Sequence, residues 1–76
     1  MKFFEEVKEI IVYHLVVDDE KVTLEAKLAD DLGADSLDFV EIVEAIEDSF
    51  EIEIPDEVYD NLVTVGDIVR YIDSVI

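Results

Sequence analysis

Three stretches of this chain repeat their apolar residues at the spacing of an α-helix, and no two stretches alternate in a way that would let them pair as strands. Phe3, Phe4, Val7, Ile10, Ile11 and Leu15 make the first stripe, with Glu5, Glu6, Lys8 and Glu9 turned outward. Phe39, Ile42, Val43, Ile46 and Phe50 make the second, and Val65, Ile68, Val69, Ile72 and Ile76 the third. Ile52 and Ile54 alternate with Glu51 and Glu53, but a lone strand has nothing to bond to, so this run is expected to be an extended linker ending at Pro55. Asp56 to about Leu62 reads as a short helix with Val58 and Leu62 inward. The expected fold is all-α, a small four-helix bundle of three main helices and one short helix.

Helix starts are marked as clearly as helix faces. Gly33 ends one segment, and Asp35 and Ser36 are both residue types whose side chains cap orphan N–H groups. With Asp35 as the cap, Asp38 falls at the third helical position and imitates a capping box, Asp replacing the usual Glu or Gln. Thr64 followed by Asp67 repeats the signal before the last helix. Between Val17 and Leu32 the periodicity loosens, which predicts a long ordered loop pinned by Val22, Leu24, Leu28 and Leu32, with a helical turn around Ala26 to Ala29.

The chain has 76 residues and is read as one domain, 1–76, near the lower size limit for a single core, with no cysteine to staple it. Its hydrophobic fraction of 51% argues against disorder despite a charged fraction of 36%. Twenty-two acids against five basic residues leave a formal charge of −17, a field that repels nucleic acid and anionic membranes and attracts basic protein patches. No apolar run approaches a membrane span and no signal-peptide core follows Lys2, so a cytoplasmic monomer with no stable membrane association is expected. Folding crowds these like charges together. Monovalent salt or millimolar magnesium should therefore raise the melting temperature, and mild acidification should raise it before stronger acid lowers it. A melting temperature indifferent to both ions would contradict this.

Ser36 is the residue that stands out chemically. A nucleophilic serine needs a base beside it, and the lone His14 lies on the inward side of a different helix, where it reads as a partly buried structural residue. No catalytic residue is expected. Ser36 makes better sense as the substrate of another enzyme, an accessible hydroxyl at a helix start whose first N–H groups can receive a phosphodiester. The acid pairs Asp18-Asp19, Asp30-Asp31 and Glu47-Asp48 lack the spaced ligands and central glycine of a calcium loop, so no metal site is expected. Leu37 and Val40 point away from the core stripe among acids, which suggests a docking face beside Ser36.

The run Asp35-Ser36-Leu37-Asp38, then Val40-Glu41-Ile42-Val43, and later Glu53-Ile54-Pro55-Asp56-Glu57, resembles the acyl carrier proteins of fatty-acid synthesis over almost the whole chain. The resemblance implies that Ser36 carries a covalent 4'-phosphopantetheine, donated from coenzyme A by a phosphopantetheinyl transferase, and that the arm's thiol holds the acyl chain. It implies that Asp35, Asp38, Glu41, Glu47, Asp48 and Asp56 dock, with Leu37 and Val40, onto basic patches of the transferase and of fatty-acid synthesis enzymes. It also implies an acyl pocket reached beside Ser36, with Phe39, Ile46, Ile54, Leu62 and Ile68 as wall residues from their inward phase.

Two positions depart from the family pattern. Phe39 stands where a threonine is common and bears on pocket size: a ring filling the entrance should favour short acyl groups over long ones. Glu44, where many members have methionine, bears on which partners are served. The alternatives are a carrier for an aminoacyl or polyketide group, and an acidic helical interaction module with no prosthetic group.

Overall fold

The computed structural model describes residues 2–76. Helix α1 spans Phe4–Leu15, α2 spans Ser36–Phe50 and α3 spans Val65–Val75, with 3-10 helices at Asp19–Lys21 and Asp56–Asn61. Among the described residues there is no strand, so the fold is the expected all-helical one, with three main helices, the expected short helix at Asp56–Asn61 and a further single turn at Asp19–Lys21.

The three stripes meet in one core. Val7 and Ile11 of α1, Ile42, Val43 and Ile46 of α2, and Val65, Ile68, Val69 and Ile72 of α3 are all buried. Phe3 meets Phe50 edge to face at 5.5 Å, so the start of α1 lies beside the end of α2. Ile76, expected on the α3 stripe, is instead 64% exposed, because it caps the helix rather than extending it.

The long loop is held from within and from across the molecule. Val22, Leu28 and Leu32 are buried and Leu24 is half-buried. Its helical turn falls slightly later than expected: Asp31 N–H bonds Lys27 C=O at 2.9 Å and Gly33 N–H bonds Ala29 C=O at 3.1 Å. Gly33 closes that turn at φ +74°, a conformation that costs glycine little. Residues 24–28 then run beside the start of α3, with Leu28 N–H on Val63 C=O, Val65 N–H on Ala26 C=O and Gly66 N–H on Leu24 C=O. The approach at Gly66 is so close that a Cβ would stand 2.9 Å from the Leu24 carbonyl.

Both expected capping boxes form. At α3, Asp67 N–H bonds Thr64 Oγ1 at 3.1 Å while Asp67 Oδ2 accepts from the N–H groups of Thr64 and Val63, each at 3.0 Å. Arg70 adds a 2.7 Å ion pair to the other carboxylate oxygen. Burial by itself raises the Asp67 pKa, but these hydrogen bonds outweigh it and hold the carboxyl below its ordinary value. A depressed folded-state pKa means that the contribution to stability is complete above the unfolded value and is lost as pH falls through the folded one. Asp67→Asn should accordingly be less stable than wild type at neutral pH, with the gap closing below about pH 4. Melting curves across that range would show it, and a gap constant into strong acid would refute it.

Candidate functional site

The site is built where the loop turns into α2. Asp35 is the extended N-cap, Ser36 the first helical residue and Asp38 the third. The reciprocal bonds are Asp38 N–H to Asp35 Oδ1 at 2.9 Å and Asp35 N–H to Asp38 Oδ2 at 3.2 Å. Two side chains thus lock the turn on which Ser36 sits, and neither needs the Ser36 hydroxyl. Ser36 is exposed, and among the described residues its side chain and the N–H groups of Ser36 and Leu37 have no hydrogen-bond partner. These are the free donors at the positive end of a fifteen-residue helix, beside a hydroxyl open to an incoming phosphoryl group.

Ser36 also stands on the rim of a cleft of about 450 Å3. The cleft runs between the loop, the first turn of α2 and the second 3-10 helix, and its inner wall is apolar: Leu28, Ala34, Phe39, Val40, Tyr59 and Leu62. Leu28, Ala34 and Leu62 are core residues, so the floor of the cleft is the edge of the core itself. Of the residues expected to wall an acyl pocket, Phe39 and Leu62 line this cleft, whereas Ile46, Ile54 and Ile68 lie buried in the core behind it.

Tyr59 is the lining residue that sequence reasoning missed. Its ring meets that of Phe39 edge to face, centroids 5.3 Å apart and planes at 77°. Partial burial first, then the carboxylates of Asp56, Glu47 and Glu44, push its phenol above the ordinary tyrosine value. The available signal was the helix type. At three residues per turn Asp56, Tyr59 and Leu62 align, whereas the α-helical period assumed for this segment aligns Val58 with Leu62.

The acids fall into two kinds. Glu41, Glu44 and Asp48 are exposed along α2, Asp56 is exposed at the start of the 3-10 helix, and Leu37 stands out at 70% exposed with Val40 beside it. Glu47 differs: it is half-buried, and its Oε2 accepts from Ile54 N–H at 2.7 Å, tying the linker after α2 back onto the helix. His14 does not reach this region; its ring stacks edge-on against Tyr13 at 5.3 Å, and it does not line the cleft. Among the described residues no group of three or more His, Cys, Asp or Glu could hold a metal ion, and no helix is long and apolar enough to cross a membrane.

An exposed hydroxyl on a locked helix start, at the rim of an apolar cleft, is a place where a group can be loaded and its apolar end sheltered. Comparison with known proteins agrees. The family model described as a phosphopantetheine attachment site matches residues 5–72. Acyl carrier proteins of Wolinella succinogenes and Campylobacter concisus are 53% and 50% identical to the chain, covering 97% of it and 97% and 96% of themselves. A solved structure from Mycobacterium tuberculosis, described provisionally as an acyl carrier protein, superposes with a TM-score of 0.90 at 31% identity, covering 97% of this chain and 99% of that one.

The chain belongs to the phosphopantetheine-attachment family, within its acyl carrier proteins: it is a carrier and not an enzyme, and its covalent group is 4'-phosphopantetheine. That sets aside the reading as an interaction module without a prosthetic group. The residues beside the cleft suit such a group, with a free hydroxyl to esterify, two unpaired N–H donors for a phosphodiester and an apolar wall for what the arm carries.

Proposed function

We propose that Ser36 is the attachment point and that the arm on it holds growing acyl chains as thioesters for the enzymes of fatty-acid synthesis. In loading, Ser36 Oγ attacks the phosphorus of coenzyme A that bears the pantetheine, the diphosphate bond breaks, the nucleotide half leaves, and the hydroxyl proton passes to a base of the transferase. The observation that carries this reading is the exposed, unbonded Ser36 hydroxyl on the rim of an apolar cleft. When the arm is bound, its thiol supplies the thioester chemistry; the protein's own work is to present that thiol and shelter the tail.

Partners would dock on the acidic face of Asp35, Asp38, Glu41, Asp48 and Asp56 around the apolar Leu37 and Val40, through basic patches of their own. Glu47 would contribute charge to that face as well as holding the linker. We read residues 1–76 as one carrier domain working as a cytoplasmic monomer, with Met1 outside the described residues. The test is direct. Incubating the apo chain with coenzyme A and a phosphopantetheinyl transferase should add the mass of one phosphopantetheinyl group, mapped by peptide mass to Ser36. No gain with several transferases would sink the proposal.

A further inference from the structure

The cleft beside Ser36 is closed on one side by two rings from different elements. Phe39 comes from the first turn of α2 and Tyr59 from the 3-10 helix Asp56–Asn61, and both are half-buried where they touch. Past Phe39 along the inner stripe of α2 come Val43 and Ile46, neither of which has any exposed surface. An apolar chain entering from Ser36 therefore has the open cleft to fill first. Once it outgrows that space it must either turn back into water or pass between the rings toward Val43 and Ile46.

The two walls are not equally firm. Phe39 stands on a fifteen-residue helix held by a capping box. Tyr59 stands on a six-residue 3-10 helix with no side-chain cap, secured by single turns such as Val58 N–H to Pro55 C=O at 3.1 Å and Leu62 N–H to Tyr59 C=O at 3.0 Å. Short 3-10 segments have poorer hydrogen-bond geometry than α-helices, so the tyrosine side is the one that yields.

We propose that the Phe39–Tyr59 ring pair is the length gate of this carrier: acyl chains that fit the cleft beside Ser36 are sheltered with the rings in contact, and longer ones only when the rings part. This rests on Ser36 as the attachment point and adds the substrate class, short acyl groups, to that reading. Methylenes left in water are disfavoured one by one, so a chain that cannot pass the gate leaves its thioester more exposed as well as its tail. The phenol hydroxyl plays no part in the gate; the ring contact does.

The full-length apo chain, loaded by a transferase from butyryl-, octanoyl- or tetradecanoyl-coenzyme A, provides the test. Peptide mass confirms the arm on Ser36, and the rate of thioester hydrolysis reports shelter. In wild type the tetradecanoyl thioester should hydrolyse faster than the octanoyl one. Phe39→Thr and Tyr59→Ala should each slow tetradecanoyl hydrolysis, measured relative to butyryl hydrolysis on the same variant, by at least about threefold, the order of effect expected for one edge-to-face ring pair. The double variant should gain little more, because either change removes the same contact. Tyr59→Phe should behave as wild type. Circular dichroism of the apo forms checks folding, and Phe39→Thr decides the matter if Tyr59→Ala does not fold. Unchanged tetradecanoyl hydrolysis in folded, Ser36-loaded variants would overturn the gate alone; an arm that never appears on Ser36 would overturn the attachment reading and the gate with it.

Discussion

Ser36→Ala should load no phosphopantetheine at all while staying within about 1–2 kcal/mol of wild-type stability, the most that loss of a capping contact costs. The two effects separate cleanly because the hydroxyl makes no hydrogen bond among the described residues. The helix start is held by Asp35 and Asp38 across bonds of 2.9 and 3.2 Å, and alanine favours a helical position at least as well as serine does. The double readout of intact mass after incubation with transferase and a denaturant titration of the apo chain would check it. A variant that still gained the arm would move the attachment elsewhere. One that unfolded would make the serine structural.

Glu41→Ala and Glu47→Ala should look alike in docking and unlike in stability. Each removes one negative charge from α2, so each should slow association with a basic partner, an effect that fades as salt screens charges over about 10 Å at 0.1 M. Glu41 is exposed and its side chain has no hydrogen bond or ion pair among the described residues, so its loss should change stability by no more than about 0.5 kcal/mol. Glu47 accepts from the part-buried Ile54 N–H at 2.7 Å. Deleting it leaves that donor unpaired, at a cost of about 1–3 kcal/mol. For a domain this small, with roughly 3–5 kcal/mol in total, that is a large share of what holds it folded. Urea titrations together with association rates at low and high salt would compare the two, and equal stability of the variants would show that the Glu47 bond contributes nothing.

That pair of variants shows where reading residues in order stops being enough. Glu41 and Glu47 are both acids on the outer part of one amphipathic helix, and periodicity treats them alike. The difference arises because the chain turns back after Phe50, through Glu51 at φ +56°, and lays Ile54 within reach of Glu47. Helix phase describes the face of one element; it carries no information on which later segment will cover part of that face.

The same division runs through the whole protein. Local physical chemistry was enough for the three stripes, both capping boxes, the Gly33 turn and the exposed serine at the head of α2, because each depends on residues within a turn or two of one another. The Asp-Ser-Leu-Asp run and the Ile-Pro-Asp-Glu run behind it were enough for the family. What the tertiary structure decided is everything that joins distant segments: residues 24–28 bonded beside α3, Glu47 reaching Ile54, and the cleft itself. The inward phase of Ile46, Ile54 and Ile68 marked them as apolar and buried, but burial in a core and burial along a cleft leave the same trace in a sequence. Tyr59 went unread because a period of three residues in place of 3.6 rotates its ring onto Phe39, and nothing in the six residues themselves marks that shorter period.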